Sequence, residues 1–153
     1  MESKIVGQLK ANEIDGEYFE SEPFEIPYFD NKKLAIGFVE ARHQTYLESA
    51  DKVLENFLKL NSKDRINDSG LVYKYYNETL KSGYTKALNI KTSSEIWNHL
   101  IANEIIIQWD ENGDLYLCVS CGCDWEIEHG LQLVFKNGHT LVRASGHDGH
   151  FTD

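Results

Sequence analysis

The chain changes its hydrophobic period twice. Over residues 33–39, Leu34, Ile36 and Phe38 alternate with Lys33, Ala35 and Gly37, the two-residue repeat of a strand with one covered face. Ahead of it, Asp15-Gly16 predicts a hairpin turn between Ile5–Ile14 and Tyr18–Phe24. Pro23 and Pro27 bracket Phe24-Glu25-Ile26 as an edge strand, and Asp30-Asn31 turns the chain into the next one. The middle of the chain moves to steps of three and four. Tyr46, Leu47, Ala50, Val53, Leu54, Phe57 and Leu58 lie on one face of a helix that Asn61-Ser62 ends. Asn67, Asp68 or Ser69 then caps a second helix carrying Leu71, Val72, Tyr75, Tyr76 and Leu80 as far as Gly83. Thr92-Ser93-Ser94-Glu95 has the form of a capping box and opens a short third helix through Trp97 and Leu100.

From Glu104 the period returns to two. Glu104–Trp109 runs to Asn112-Gly113, a type I′ hairpin signal, and Leu115–Cys121 follows with Leu115, Leu117, Val119 and Cys121 on one face. Leu131–Phe135, a second Asn-Gly pair at Asn137-Gly138 and Thr140–Ser145 complete the pattern. The expected fold is one α+β domain over 1–153, with a mostly meander, antiparallel sheet of six to seven strands. Its strands occupy about 4–39 and 104–146, and helices at about 44–60, 69–82 and 93–101 pack on one face of the sheet.

Composition narrows the partners. Hydrophobic residues make up 41% of the chain, including three tryptophans, eight tyrosines and seven phenylalanines, so a packed core is expected. Against 15 basic residues stand 25 acidic ones, a net charge of −10. That field repels phosphate backbones and anionic lipid, so neither nucleic acid nor a membrane is an expected partner; a basic protein is. Met1-Glu2-Ser3-Lys4 opens no secretion signal, and Cys118, Cys121 and Cys123 are an odd, clustered set of thiols, which together predict a reduced, cytoplasmic setting.

The connection from Cys121 to Leu131 is longer than a meander needs, and it holds the residues richest in chemistry. If its first part stays extended, Asp124, Glu126 and Glu128 point one way and Trp125, Ile127 and His129 the other, with Gly122 and Gly130 permitting a bulge or positive φ at each end. Cys121, Cys123, His129, His147 and His150 are ligand types suited to zinc, but Cys118 and Cys121 face opposite sides of a strand and no paired C-x-x-C follows. A cysteine hydrolase would use Cys123 or Cys121 with His129 as base, yet no helix start activates the thiol. Asp124 paired with Glu126 or Glu128 lacks the contrasting environments that separate an acid from a base. The reading the spacing favours is structural, with Trp125 anchoring the loop while Glu128 and His129 bond backbone groups. In the tail, His147, Asp148 and His150 surround an Asp148-Gly149 turn, and a hairpin return would bring them beside His129.

The run Cys123-Asp124-Trp125-Glu126-Ile127-Glu128-His129-Gly130-Leu131, then Phe135-Lys136-Asn137-Gly138 and Asp148-Gly149-His150, resembles an uncharacterised bacterial domain family with a C-D-W-x-x-E-H-G core and a D-G near its end. The resemblance covers most of 45–153, including Leu71…Tyr75-Tyr76 as its middle helix, and only the central motif is specific. It implies motif positions at Asp124, Trp125, Glu128, His129, Gly130 and Asp148; His147 departs from the Gln-like residue expected before the D-G. It also implies the company of toxin-immunity genes. The expectation is therefore a non-enzymatic, cofactor-free protein that binds another protein, as an immunity protein binds a basic toxin. The alternative is a metal-dependent or small-molecule-acting enzyme using Asp124, Glu128 and His129 with the His147–His150 tail.

Overall fold

In a computed structural model of the chain, residues 1–14, 16, 18–39, 44–83 and 85–151 are described. The N-terminal part is more broken than its sequence period predicts. Strands β1 (Glu2–Ser3) and β2 (Gly7–Gln8) pair with each other, and β3 (Lys10–Ala11) pairs with β4 (Tyr18–Glu20). The expected turn at Asp15-Gly16 lies partly outside the described residues. Strand β5 (Phe24–Ile26) does sit between the two prolines and pairs with β6 (Lys32–Leu34) across a 3₁₀ turn and the left-handed pair Asp30 (φ 56°) and Asn31 (φ 63°). Lys33–Val39 is not one strand. It divides at Ala35 into β6 and β7 (Ile36–Val39), which belong to different sheets, although Leu34, Ile36 and Phe38 are buried as their alternation predicts.

Helix α1 (Gln44–Leu58) buries Tyr46, Leu47, Ala50, Val53, Leu54 and Phe57, the face the period marks. An unforeseen helix follows. Asn61 both closes the chain after α1 and caps α2 (Ser62–Asn67), its side chain accepting from Lys63 N at 2.9 Å while Asp64 reaches back to Asn61 N. Helix α3 (Ser69–Lys81) starts without a side-chain cap, because the candidate groups are engaged elsewhere. The Asp68 carboxylate accepts from the buried Tyr28 hydroxyl at 3.0 Å, and Ser69 Oγ donates to Ile66 O. Gly83, at φ 82°, stops the chain after α3 as expected. Glu95 does accept from Thr92 N at 3.1 Å and from Lys91 N, but the element it opens is a 3₁₀ helix, Ser93–His99.

The third helix therefore ends early and β8 begins at Leu100, four residues sooner than predicted, running to Trp109. Strands β9 (Leu115–Cys123), β10 (Leu131–Lys136) and β11 (Thr140–Ser145) complete the antiparallel meander. At the first Asn-Gly pair the turn is not type I′, since that type needs two positive φ values and Gly113 alone has one. Instead Asp110 Oδ1 accepts from both Asn112 N and Asp114 N at 2.9 Å, organising a longer loop. The second pair has the expected φ values, Asn137 at 54° and Gly138 at 79°. A Cβ at Gly138 would stand 2.0 Å from Val53 O, so glycine there lets the turn touch α1.

The largest sheet runs in the order β11-β10-β9-β8-β7-β4-β3. It is mixed, not wholly antiparallel. Strand β7 pairs with β8 in parallel, Ile36 opposite Ile105 and Phe38 opposite Ile107, so the whole helical segment is the crossover between two neighbouring strands. The main core joins the buried faces of α1 and α3 to Leu115, Leu117, Val119, Cys121 and Cys123, while Tyr116, Cys118 and Val134 form a separate small cluster with Phe151. The helical side chains thus pack on one sheet face, and the C-terminal tail partly covers the other.

Candidate functional site

The motif loop begins where the sheet lets go of it. Leu100 is the last ladder partner of Cys123, and Asp124 extends the pairing by one residue through Asp124 N to His99 O at 3.0 Å and Asp124 Oδ2 to His99 Nδ1 at 3.0 Å. The chain then turns rather than continuing extended, so the predicted alternation fails. Trp125 is only 2% exposed while Ile127 is 85% exposed. The indole packs edge-on against Tyr76, ring centres 5.5 Å apart, and lies 6.3 Å from Tyr75. Burying that ring anchors the loop to α3.

A single carboxylate closes the turn. Glu126 Oε2 accepts from His129 N at 2.8 Å, and Oε1 lies 3.2 Å from His129 Nδ1, while Cys123 Sγ donates to Glu126 O at 3.2 Å. The bonding expected of Glu128 and His129 thus falls to Glu126, with His129 as its donor and Glu128 left exposed. Gly130 ends the loop at φ 65°, with a prospective Cβ 2.8 Å from Cys121 O. Gly122 is different: it sits inside β9 opposite Ile101 and has no positive φ.

This loop forms one wall of a cleft of about 730 Å³. Asp124, Glu126, Glu128 and His129 line that wall, with Ile127 beside them. The rest of the cleft lining is Tyr75 and Thr79 from α3, then Ser82, Thr85 and Lys86, with Gly146 from the tail; Lys86 N donates to Trp125 O at 3.4 Å and ties that segment to the loop. Burial pushes the Tyr75 phenol up to about 12, so its hydroxyl stays neutral at physiological pH. Glu126, Glu128 and His129 offer ligand atoms within 4.8 Å of one another, enough to crowd a shared cation.

The other candidates do not join them. Burial pushes the Cys118 and Cys121 thiols up to about 12 and that of Cys123 to about 11, the reverse of nucleophile activation. The described part of the tail folds onto the far sheet face, away from His129. Gln132 Nε2 donates to Asp148 Oδ1 (3.0 Å) and His150 O (2.7 Å), and Arg143 grips both Asp148 oxygens at 2.9 and 3.0 Å. Phe151 stacks on Tyr116 at 5.2 Å. His150 lines a separate hollow with Trp109 and Asp110, and exposed His147 lines neither it nor the motif cleft. Among the described residues of the tail, Gly146 alone lines the cleft.

The sequence pattern does not mark Thr79, Ser82, Thr85, Lys86 or the Asp124 partner His99 as site residues. Thr85 and Lys86 have no periodic pattern to mark them, whereas His99 is marked once β8 begins at Leu100. Tyr75 was legible only as an apolar helix position.

The fold and site define a mixed-sheet α+β domain with an acidic cleft, built by one motif loop and lacking an activated thiol. The chain belongs to the family described as domain of unknown function DUF6985, which matches residues 5–151. No curated protein and no solved structure matches it.

Proposed function

We propose that this is a non-enzymatic binding domain whose motif cleft receives a basic segment of another protein, in the manner of a cytosolic bacterial immunity protein engaging a basic toxin. The observation that carries the reading is that Asp124, Glu126 and Glu128 all line the cleft together with the exposed Ile127. Like charges held together are stabilised by a cationic partner, and an exposed aliphatic side chain beside them adds apolar contact on docking. The net charge of −10 steers such a partner from a distance. Capture from the native host should return a basic protein, with binding weakened by salt and lost in the Glu126→Gln/Glu128→Gln double variant. Capture that ignores both salt and the double variant overturns the reading.

A second reading rests on the 4.8 Å grouping of Glu126, Glu128 and His129, which would hold a divalent cation for metal-dependent chemistry. Calorimetric titration with manganese and with zinc separates the two. Stoichiometric uptake abolished by Glu128→Gln favours the metal; no heat favours the basic segment.

A further inference from the structure

Three buried side-chain polar atoms among the described residues have no hydrogen-bond partner, and two belong to residues lining the motif cleft: Nε1 of Trp125 and Oγ1 of Thr85. Buried polar groups are nearly always paired, so two orphans at one cleft point to something the cleft is built to receive. An indole N–H is a donor only; what Trp125 lacks is an acceptor oxygen. The loop carboxylates do not supply it, and two of them are engaged elsewhere, Asp124 with His99 and Glu126 with His129. Lys86 adds further donors to the same side as Thr85. The cleft thus holds donors from Trp125, Thr85 and Lys86 beside the carboxylates of the loop.

The missing oxygen is best supplied by a neutral group. A carboxylate or phosphate entering to reach Trp125 would meet the field of Asp124, Glu126 and Glu128, whereas an amide carbonyl carries no net charge. A carbonyl beside a cationic side chain is what every arginine or lysine of an extended peptide presents. We infer, resting on the reading above, that the partner is bound as an extended basic segment with its cationic side chain on Glu126 and Glu128. A main-chain carbonyl of the same segment accepts from the Trp125 indole N–H and the Thr85 hydroxyl. Recognition would then need both charge and backbone, which separates a peptide from a bare polycation.

The test is a two-dimensional ¹⁵N NMR titration of the intact protein, with the Trp125 indole signal assigned. One arm uses the blocked peptide acetyl-Gly-Arg-Gly-Arg-Gly-amide; the other uses spermine, which has cations and no carbonyl. The expected result is that both ligands move the amides of residues 126–129 and only the peptide shifts the Trp125 indole signal downfield. Thr85→Val, close to Thr in size, should weaken the peptide roughly fivefold and leave spermine unchanged, as loss of one neutral hydrogen bond would. If the peptide moves the loop amides but leaves the indole signal in place, or if spermine shifts it equally, the carbonyl contact is refuted while the basic-segment reading stands. If neither ligand moves the loop, both fall.

Discussion

The two glycines that frame the motif offer a paired test of how the loop is held. Gly130 sits at φ 65°, a region where an L side chain costs about 1–2 kcal/mol. Its Cβ would also lie 2.8 Å from the backbone oxygen of Cys121, an atom fixed in the β9–β10 ladder, so the strands must shift at an added cost of about 1–2 kcal/mol. Gly130→Ala should therefore lose about 2–4 kcal/mol of stability. Gly122 has no positive φ, and its Cβ would meet only Asn103 Nδ2 at 3.9 Å. Gly122→Ala should fall within about 0.5 kcal/mol of the parent, on the stabilising side because glycine weakens a strand interior. Urea denaturation followed by tryptophan fluorescence reads the difference. With a slope of about 2 kcal/mol/M, Gly130→Ala should lower the midpoint by about 1–2 M and Gly122→Ala should barely move it. Equal midpoints for the two variants would refute the argument, because they would show that neither the left-handed backbone nor the contact with Cys121 constrains the loop.

Other consequences follow from the same geometry. Truncating Trp125 to alanine removes a ring that is 2% exposed and packed on Tyr76, and should cost about 3–5 kcal/mol in the same denaturation assay. The native thiols should resist iodoacetamide at pH 8, since burial holds Cys118 and Cys121 at about 12 and Cys123 at about 11, and react fully once unfolded; intact-mass spectrometry showing rapid native alkylation would contradict the burial. The grip of Arg143 holds the Asp148 carboxyl below its ordinary range. A depressed folded-state value contributes stability that is complete above the unfolded carboxylate value and is lost as pH falls through the folded one. The tail should therefore detach at strongly acidic pH, seen by NMR as loss of Tyr116–Phe151 ring contacts, and Asp148→Asn should show that loosening already at neutral pH.

What the sequence disclosed and what it hid have a common physical cause. The helical stripe from Tyr46 to Phe57 and the alternation of Leu115, Leu117, Val119 and Cys121 are local consequences of one buried face, so periodicity found them. The parallel pairing of β7 with β8 is not local. Ile36 meets Ile105 across almost seventy residues of intervening chain, and nothing in either strand's alternation distinguishes a parallel neighbour from an antiparallel one. The same limit governs the site. The motif residues were legible because they are consecutive, but the fate of each depended on remote partners: Asp124 on His99, Trp125 on Tyr76, and Asp148 on Gln132 and Arg143. The expected meeting of His129 with the tail fails because the end of β11 does not fix which sheet face the tail crosses. Gln132, buried at 3% exposure on the face away from the helices, draws the tail to that side with its amide donors. A glutamine between Leu131 and Leu133 is a signal of that side, since an amide on a covered strand face needs acceptors, and Ser145, Asp148 and the His150 carbonyl supply them.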